Sequence, residues 1–179
     1  MTLAKKAAAW AAMSHEGRTY GTGPYTDHLE MVVHILKRHG LGSDEFLAAG
    51  WLHDDIEDTD TTLEQLQSEF GDRVAELVFA VTDEPGKNRA ERHRKTYPKI
   101  VATPGATALK LADRTANVSS CWATRDSKLF MYRKEYGDFR AALYREEASR
   151  TVQAMWGELD RLLGWDAWAA RDHARKKRR

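Results

Sequence analysis

Apolar residues recur along most of this chain with the spacing of an amphipathic helix, and no segment alternates apolar and polar residues over the length of a strand. Leu29, Val32, Val33 and Leu36 follow the i, i+3, i+4, i+7 pattern. That spacing places them on one face of a helix, which Gly40 is expected to end.

Helix start and stop signals divide the segment that follows. Ser43 is predicted to cap a helix that runs through Asp54, and Thr61 with Glu64 has the spacing of a capping box. The capping box would begin a short helix that ends at Gly71. The helical pattern then resumes at Val74, Leu77, Val78 and Val81.

Proline and glycine mark the boundaries in the next part of the chain. Pro85 and Gly86 open a loop, a helix is predicted over 89–97, and Pro98 is expected to end it. After Pro104 and Gly105 the apolar period continues to residue 118.

Long helices are expected from about residue 128 to residue 163, and no linker rich in Pro, Gly or Ser divides the chain. At 179 residues and 42% hydrophobic content, one domain with a buried core is expected. The fold class is therefore predicted to be all-α: a single helical bundle over residues 1–165, with a basic C-terminal tail over 166–179.

Charge is distributed unevenly along the chain. The net charge is +1, but residues 171–179 hold six Lys or Arg and one Asp, so the rest of the chain carries a net charge of −4. The tail is expected to be a solvated terminus, and contact with RNA or a nucleotide is the alternative.

The sequence favours a reducing, cytoplasmic setting without membrane contact. Cys121, the only cysteine, has no partner for an internal disulfide, and residues 1–7 lack the apolar stretch of a signal peptide. No run approaches the roughly 20 apolar residues of a membrane span.

The highest density of acidic and imidazole side chains is at residues 53–60, His-Asp-Asp-Ile-Glu-Asp-Thr-Asp, directly after the apolar run 46–52. Five carboxylates and a histidine in eight residues are costly without a cation. Imidazole and oxygen ligands together suit Mn²⁺, Fe²⁺, Zn²⁺ or Mg²⁺, and His28 and Asp113 could complete the ligand set. The pattern predicts the centre of a metal-dependent phosphohydrolase.

Helical spacing would organise these side chains. His53 with Glu57 and Asp54 with Asp58 are i, i+4 pairs, so a helix that continues one turn would place them in two adjacent stripes. One stripe would bind metal and the other would act on water.

A second group lies further along the chain. Lys110, Asp113 and Asn117 at i, i+3, i+7 align a cation, a carboxylate and an amide on one helix. That line suits a metal ligand flanked by contacts to phosphate or sugar. Asp55 and Asp60 are expected to be solvated or capping residues. A structural role is expected for the other histidines: His15, His34, His39, His93 and His173.

In order, His28, His53-Asp54 and Asp113 resemble the H…HD…D signature of HD-domain phosphohydrolases. Over roughly residues 4–145 the chain is similar to the hydrolase domain of RelA/SpoT proteins. By size it resembles the single-domain small alarmone hydrolases, including the metazoan SpoT homologue. The segments that carry the resemblance are 23–28, 48–59, 70–83 and 110–117.

The resemblance implies an HD-domain helical bundle that removes the 3′-pyrophosphate from (p)ppGpp with Mn²⁺, giving GDP or GTP and pyrophosphate. The implied metal ligands are His28, His53, Asp54 and Asp113. Glu57 and Asp58 would orient and deprotonate the attacking water. Asn117 and Tyr136 would contact the sugar and phosphates of the nucleotide, while Lys110 and Arg114 would offset phosphate charge.

The chain departs from the family just before the Pro-Tyr segment at residues 23–28. Gly17-Arg18-Thr19-Tyr20-Gly21 stands where relatives carry Gly-Gln-x-Arg-Lys, and the loop to His28 is one residue shorter. The Arg-Lys pair contacts the guanine nucleotide in relatives. Arg18 and Tyr20 are expected to substitute by stacking on the base, with looser base recognition.

Three classes of function follow. The first is an alarmone hydrolase acting on a small nucleotide. The second is an HD phosphohydrolase for another nucleotide, a dinucleotide cofactor phosphate, or pyrophosphate on a tRNA 3′ end, which would make the protein an antitoxin with a tRNA or toxin partner. The third is a non-catalytic binding module, which the retention of all six metal and acid positions disfavours.

Overall fold

The computed structural model describes residues 1–165, which form ten helices and one short antiparallel ribbon. The all-α prediction is confirmed. The predicted basic tail and His173 lie outside the described residues. In chain order the elements are α1 (Leu3–Ser14), β1 (Thr19–Tyr20), β2 (Gly23–Pro24), α2 (Thr26–Arg38), α3 (Asp44–Leu52), α4 (Asp55–Asp58), α5 (Leu63–Phe70), α6 (Asp72–Val81), α7 (Arg89–Ala102), α8 (Ala106–Thr124), α9 (Lys128–Leu143) and α10 (Arg150–Leu163).

Helix α8 lies at the centre of the bundle and packs against α2, α3, α6, α7, α9 and α10. Small side chains at Ala108, Ala112 and Ala116 are buried along it, so neighbouring helices approach closely. Because α8 is surrounded, Asp113 is carried into the core. Among the helices of residues 1–165, none has the length and apolarity to cross a membrane.

The predicted helix over 29–36 is confirmed as α2, with Leu29, Val32 and Leu36 fully buried. Gly40 follows it with a φ of +76°, a value that favours glycine. The ribbon that precedes α2 pairs Thr19 with Pro24.

Of two helix starts predicted in the middle of the chain, one is confirmed and the other is displaced by one residue. Ser43 caps α3 as expected, with its hydroxyl accepting the Phe46 amide hydrogen. The capping box is formed by Thr62 and Gln65, one position after the predicted pair, because the Thr61 side chain is buried in a polar cluster.

The predicted continuation of α3 through residue 54 and onward is wrong. Helix α3 ends at Leu52, and Asp54, with ψ of −3°, separates it from α4. Helical ψ values lie near −42°, so the ladder of hydrogen bonds is interrupted there. The expected pair of continuous stripes is therefore replaced by a turn that carries His53 and Asp54.

The predicted end of a helix at Pro98 is also wrong. Pro98 lies inside α7, which continues to Ala102, and the Thr103 amide donates to the Lys99 carbonyl. Proline removes one internal hydrogen bond. Burial of Ile100, which is fully inaccessible, favours the additional turn.

Asp55 is fully buried, so the expectation that it is solvated is wrong, whereas Asp60 is exposed as expected. The His15 ring donates from Nε2 to Asp55 Oδ1 over 3.1 Å, and the Ser14 hydroxyl donates to Oδ2 over 3.0 Å. The Thr61 hydroxyl lies 3.4 Å from the same oxygen. This cluster ties α1 to the turn that contains Asp54.

We expect Asp55→Asn to destabilise the fold by about 1–3 kcal/mol, because a buried acceptor facing His15 is replaced by an amide group. Asp60→Asn, five residues away and exposed, is the matched control and should stay within about 0.5 kcal/mol of wild type. Chemical denaturation measures both. Equal stability of the two variants would contradict a stabilising role for the cluster.

Candidate metal centre

Two buried histidines face each other across the interface between α2 and the end of α3. His28, in the first turn of α2, and His53, just after α3, are each 1% exposed. Their Nε2 atoms lie 3.3 Å apart. With Asp113 of α8 they form a group whose ligand atoms all lie within 4.8 Å of one another.

Asp54 brings a second carboxylate to the same point. Its Oδ2 lies 3.2 Å from His53 Nε2 and 3.5 Å from His28 Nε2. The Tyr25 hydroxyl donates a hydrogen bond of 2.6 Å to this oxygen. Two imidazole nitrogens and two carboxylates thus converge, a donor set that fits a divalent transition metal.

Hydrogen bonds behind these donors fix their orientation. His53 Nδ1 lies 2.9 Å from the Gly50 carbonyl, which can only accept, so Nδ1 carries a proton and the ring directs Nε2 toward the other donors. Asn117 donates to Asp113 Oδ1 over 2.6 Å, and its own Oδ1 accepts from the Tyr20 hydroxyl over 3.1 Å.

The titration behaviour of the group follows from this crowding. Burial alone would lower the pKa of His53, but Asp54 and Asp113 outweigh it and raise that pKa well above its usual value. Burial would raise the pKa of Asp113, yet Lys110 and the two histidines hold it well below its usual range. The carboxylates are therefore ionised, and a bound cation would replace the protons on the imidazoles.

Three of the four donors, His28, Asp54 and Asp113, line a cavity of about 210 Å³ whose walls carry only polar or charged side chains. Whole-ligand pockets are usually about 300–1,000 Å³ and largely apolar, so this cavity suits phosphate groups better than a base. The residues around it are Tyr25, His28, Asp54, Glu57, Asp58, Asp83, Arg89, His93, Lys110, Asp113, Arg114, Asn117 and Tyr132.

Glu57 and Asp58 both reach this cavity but differ in their contacts. Glu57 Oε1 accepts from the Asp83 amide, and desolvation raises the pKa of its carboxyl although Lys110 opposes the shift. Asp58 Oδ1 pairs with Arg18 over 2.9 Å. Asp58 is thus held in an ion pair, whereas no ion pair of Glu57 within 4 Å is found among residues 1–165.

Lys110, Asp113 and Asn117 lie along one face of α8, as their spacing predicts. Lys110 Nζ is 3.1 Å from Asp113 Oδ2, so both neighbours contact the same carboxylate. Burial would lower the pKa of Lys110, but Asp113 and other acids outweigh it and raise it. Arg114, the next residue, is 2% exposed and is therefore not a surface residue.

Arg18 and Tyr20, expected to stack on the base, make their contacts within the protein. Arg18 also donates to the Asp58 carbonyl over 2.6 Å. The Tyr20 ring lies 4.8 Å from the His28 ring, measured between centroids. Neither residue lines the cavity, so the structure gives no support to the stacking role.

The structure does not bring Tyr136, the expected sugar and phosphate contact, to the cavity wall, so that contact stays a prediction. This residue is fully buried, and its hydroxyl donates to Asp160 over 2.6 Å, joining α9 to α10. Tyr132, one helical turn earlier, lines the cavity instead. Two tyrosines at i, i+4 cannot be told apart without knowing how α9 is rotated against the bundle.

Five residues of the cavity wall were not predicted from the sequence. Arg89 and His93 are an i, i+4 pair on α7, a spacing that the sequence does contain. Asp83 ends a segment that carries the family resemblance. The five missed residues are Tyr25, Asp83, Arg89, His93 and Tyr132.

A larger groove of about 670 Å³ lies between α7 and α9. Its walls include Tyr97, Pro98 and Val101, and it shares only His93 with the polar cavity. None of the four converging donors borders it, so we place the chemistry in the smaller cavity.

Comparison with known proteins agrees with this geometry. The HD-domain family matches residues 7–141, and the chain belongs to this family. The guanosine-3′,5′-bis(diphosphate) 3′-pyrophosphohydrolase of Aquifex aeolicus is 36% identical over 168 residues, which are 90% of this chain and 23% of that protein. The zebrafish (Danio rerio) pyrophosphohydrolase MESH1 is 39% identical over 115 residues, 61% of this chain and 63% of that protein.

The chain thus spans less than two thirds of the length of both relatives. Among solved structures, a metazoan orthologue of SpoT that hydrolyses ppGpp superposes with a TM-score of 0.74 at 24% identity, covering 90% of this chain and 95% of that one. This likeness establishes the shared fold and confirms the predicted HD-domain bundle.

We expect the protein to lose stability as the pH falls from about 6.5 to about 4. Burial, with help from Arg89, lowers the pKa of His93 from 6.5 to about 4, so in this window the unfolded chain gains a proton that the folded one does not. His93→Gln should flatten this part of the curve, whereas His34→Gln, at an exposed histidine, should leave it unchanged. Urea unfolding at a series of pH values measures the slope, and identical slopes in wild type and His93→Gln would refute the assignment.

Proposed function

We propose that this protein is a metal-dependent hydrolase that removes the 3′-pyrophosphate from (p)ppGpp, leaving GDP or GTP. The observation that carries the proposal is the convergence of His28, His53, Asp54 and Asp113 at one end of a polar cavity. The substrate class is supported by the names of the relatives, which are guanosine-3′,5′-bis(diphosphate) 3′-pyrophosphohydrolases.

We infer that these four residues hold the metal and that the metal is Mn²⁺. Mixed nitrogen and carboxylate donors disfavour Ca²⁺ and Mg²⁺, which prefer oxygen, and the lack of a thiolate among the four donors disfavours copper(I). Among the divalent transition metals that remain, Mn²⁺ is the ion that the resemblance to RelA/SpoT hydrolases implies. When bound, a divalent ion supplies charge neutralisation at the phosphoryl oxygens and lowers the pKa of water.

Glu57 is the proposed general base. Its raised pKa makes it a better proton acceptor than an ordinary carboxylate, and it lines the same cavity as the metal donors. The Asp83 amide, which donates to Glu57 Oε1, orients the carboxylate. Asp58, held by Arg18, would orient the water through its remaining lone pairs.

Lys110 and Arg114 are the proposed phosphate contacts, and Asn117 serves chiefly to position Asp113. Lys110 is buried and charged beside the metal donors, where it can stabilise the extra negative charge of the transition state. Base recognition is not assigned to Arg18 or Tyr20, since both are engaged within the protein.

A product assay tests the function. Purified protein with Mn²⁺ should release pyrophosphate and GDP in equal amounts from ppGpp, and Asp113→Asn, which weakens a metal ligand, should abolish turnover. The comparison set comprises pppGpp, NADPH, dNTPs and 3′-pyrophosphorylated tRNA. Higher kcat/KM on tRNA or NADPH than on ppGpp would replace the proposed substrate, while the tRNA and toxin partners remain predictions until such a result.

Glu57→Gln should lower kcat by about 10²-fold or more while metal content stays at the wild-type level, because it removes the base and keeps the shape. Asp58→Asn should lower kcat less, since only its neighbour is proposed to accept the proton. Glu64→Gln, at an exposed glutamate on α5, is the control and should leave kcat unchanged. Wild-type kcat in Glu57→Gln, with metal confirmed by elemental analysis, would exclude Glu57 as the base.

A further inference from the structure

Arg114 is a buried cation with an unpaired nitrogen. Its side chain is 3% exposed, and among residues 1–165 its Nη1 atom is fully buried and has no hydrogen-bond partner. Its guanidinium lies over the rings of Tyr132 and Phe139, at 4.9 and 4.6 Å from their centroids. Buried donors nearly always have partners, so this one indicates an acceptor that the protein itself does not supply.

Within residues 1–165, the one carboxylate that lies within 4 Å of the Arg114 guanidinium is shared with a second arginine. Glu135 Oε2 is 3.6 Å from Arg114 Nη1, beyond a hydrogen bond. The same carboxylate accepts from Arg89 Nε, at 2.9 Å to one oxygen and 3.1 Å to the other. Two guanidinium groups facing one carboxylate leave a surplus positive charge on this wall of the cavity.

The rest of the cavity cannot neutralise that surplus. Lys110 lies with the metal donors, where it already pairs with Asp113. Asp83 also lines the cavity, but its Oδ2 faces Arg92 Nε at 3.6 Å and His93 Nε2 at 3.9 Å, so this carboxylate is shared with a third arginine. His93, which lines the cavity between the arginine-bearing helices, is held neutral because burial and Arg89 lower its pKa to about 4. The cavity therefore has a metal-binding end and an arginine end, defined by Arg89, Arg114 and Tyr132.

We propose that the arginine end binds a second phosphate group of the substrate, distinct from the phosphate that is cleaved at the metal-binding end. Guanidinium groups match phosphate oxygens in a planar, two-pronged geometry, and burial strengthens such contacts. Asp113 and Arg114 are consecutive in α8 and line one cavity of about 210 Å³, so the two phosphate groups must lie close together on one small molecule.

The inference rests on the proposed function, since it assumes a nucleotide phosphorylated at two positions. A (p)ppGpp-like molecule meets this requirement with phosphates on the 3′ and 5′ oxygens of one ribose. The arginine end would then select against nucleotides that carry only the cleaved group. A competing reading is that the arginines bind the leaving pyrophosphate itself.

Substrate pairs separate these readings. Arg89→Gln should lower kcat/KM for ppGpp by about 10- to 100-fold, as expected for a charged hydrogen bond, but change it less than about 2-fold for guanosine 3′-diphosphate with a free 5′-hydroxyl. Arg94→Gln, at an exposed position of α7, is the matched control and should alter neither value. An equal loss on both substrates would overturn the proposal in favour of contact with the leaving group.

A binding measurement distinguishes failure of this site from failure of the proposed function. GDP carries the second phosphate group and cannot be hydrolysed at the 3′ position, so Mn²⁺-loaded protein is titrated with GDP and with guanosine by calorimetry. Wild type should bind GDP at least 10-fold more tightly than guanosine, and Arg89→Gln should remove most of that difference.

The titration decides the matter even if wild type hydrolyses neither substrate, and no preference for GDP over guanosine would overturn the proposal. Arg89, whose side chain is 37% exposed, is chosen because its replacement should preserve the fold. Arg114→Lys keeps the positive charge but loses the planar guanidinium group. If its thermal melt is unchanged, its preference for GDP over guanosine should lie between those of wild type and Arg89→Gln.

Discussion

The structure depends on the meeting of α2, α3 and α8, which forces two imidazoles and two carboxylates to one buried point. Like-charged carboxylates and facing nitrogen atoms repel one another in a medium of low dielectric constant. Without a cation the group is stabilised by protons on the histidines. A divalent ion would relieve the same repulsion, so metal binding and the local stability of this interface are coupled.

The residues behind the donors explain how the group is held. Gly50 fixes the tautomer of His53, Tyr25 holds Asp54, and Asn117 holds Asp113. The Asp55 cluster anchors the turn from the other side and connects it to α1. Each contact orients a donor, so substitutions that never touch metal or substrate should still affect the centre.

The sequence predicted the class of fold and the chemistry of the donors because both leave local signals. The apolar period of α2 and the density of acids at 53–60 are visible in one dimension. The burial of Asp55 cannot be predicted in this way, since a solvated and a buried aspartate have the same sequence spacing. The sequence also does not show that Tyr132, and not Tyr136, lines the cavity, because the rotation of α9 is set by packing against α10.

The altered segment 17–21 shows a further limit of prediction from sequence. The side chains of Tyr20 and Arg18 are of types that stack on a base, but in the structure the Tyr20 hydroxyl donates to Asn117 and Arg18 pairs with Asp58. The arginine end could not be predicted from the sequence either, because Arg89 and Arg114 lie on two different helices and only their packing brings the side chains to one cavity. Long-range electrostatic arrangements of this kind require the tertiary structure.

The most direct test of the account is a crystal structure of the protein grown with Mn²⁺, with anomalous diffraction recorded above and below the manganese absorption edge. The account predicts a single strong anomalous peak within coordination distance of Nε2 of His28 and His53 and of the carboxylates of Asp54 and Asp113. A peak elsewhere, or none at this point at saturating Mn²⁺, would contradict it.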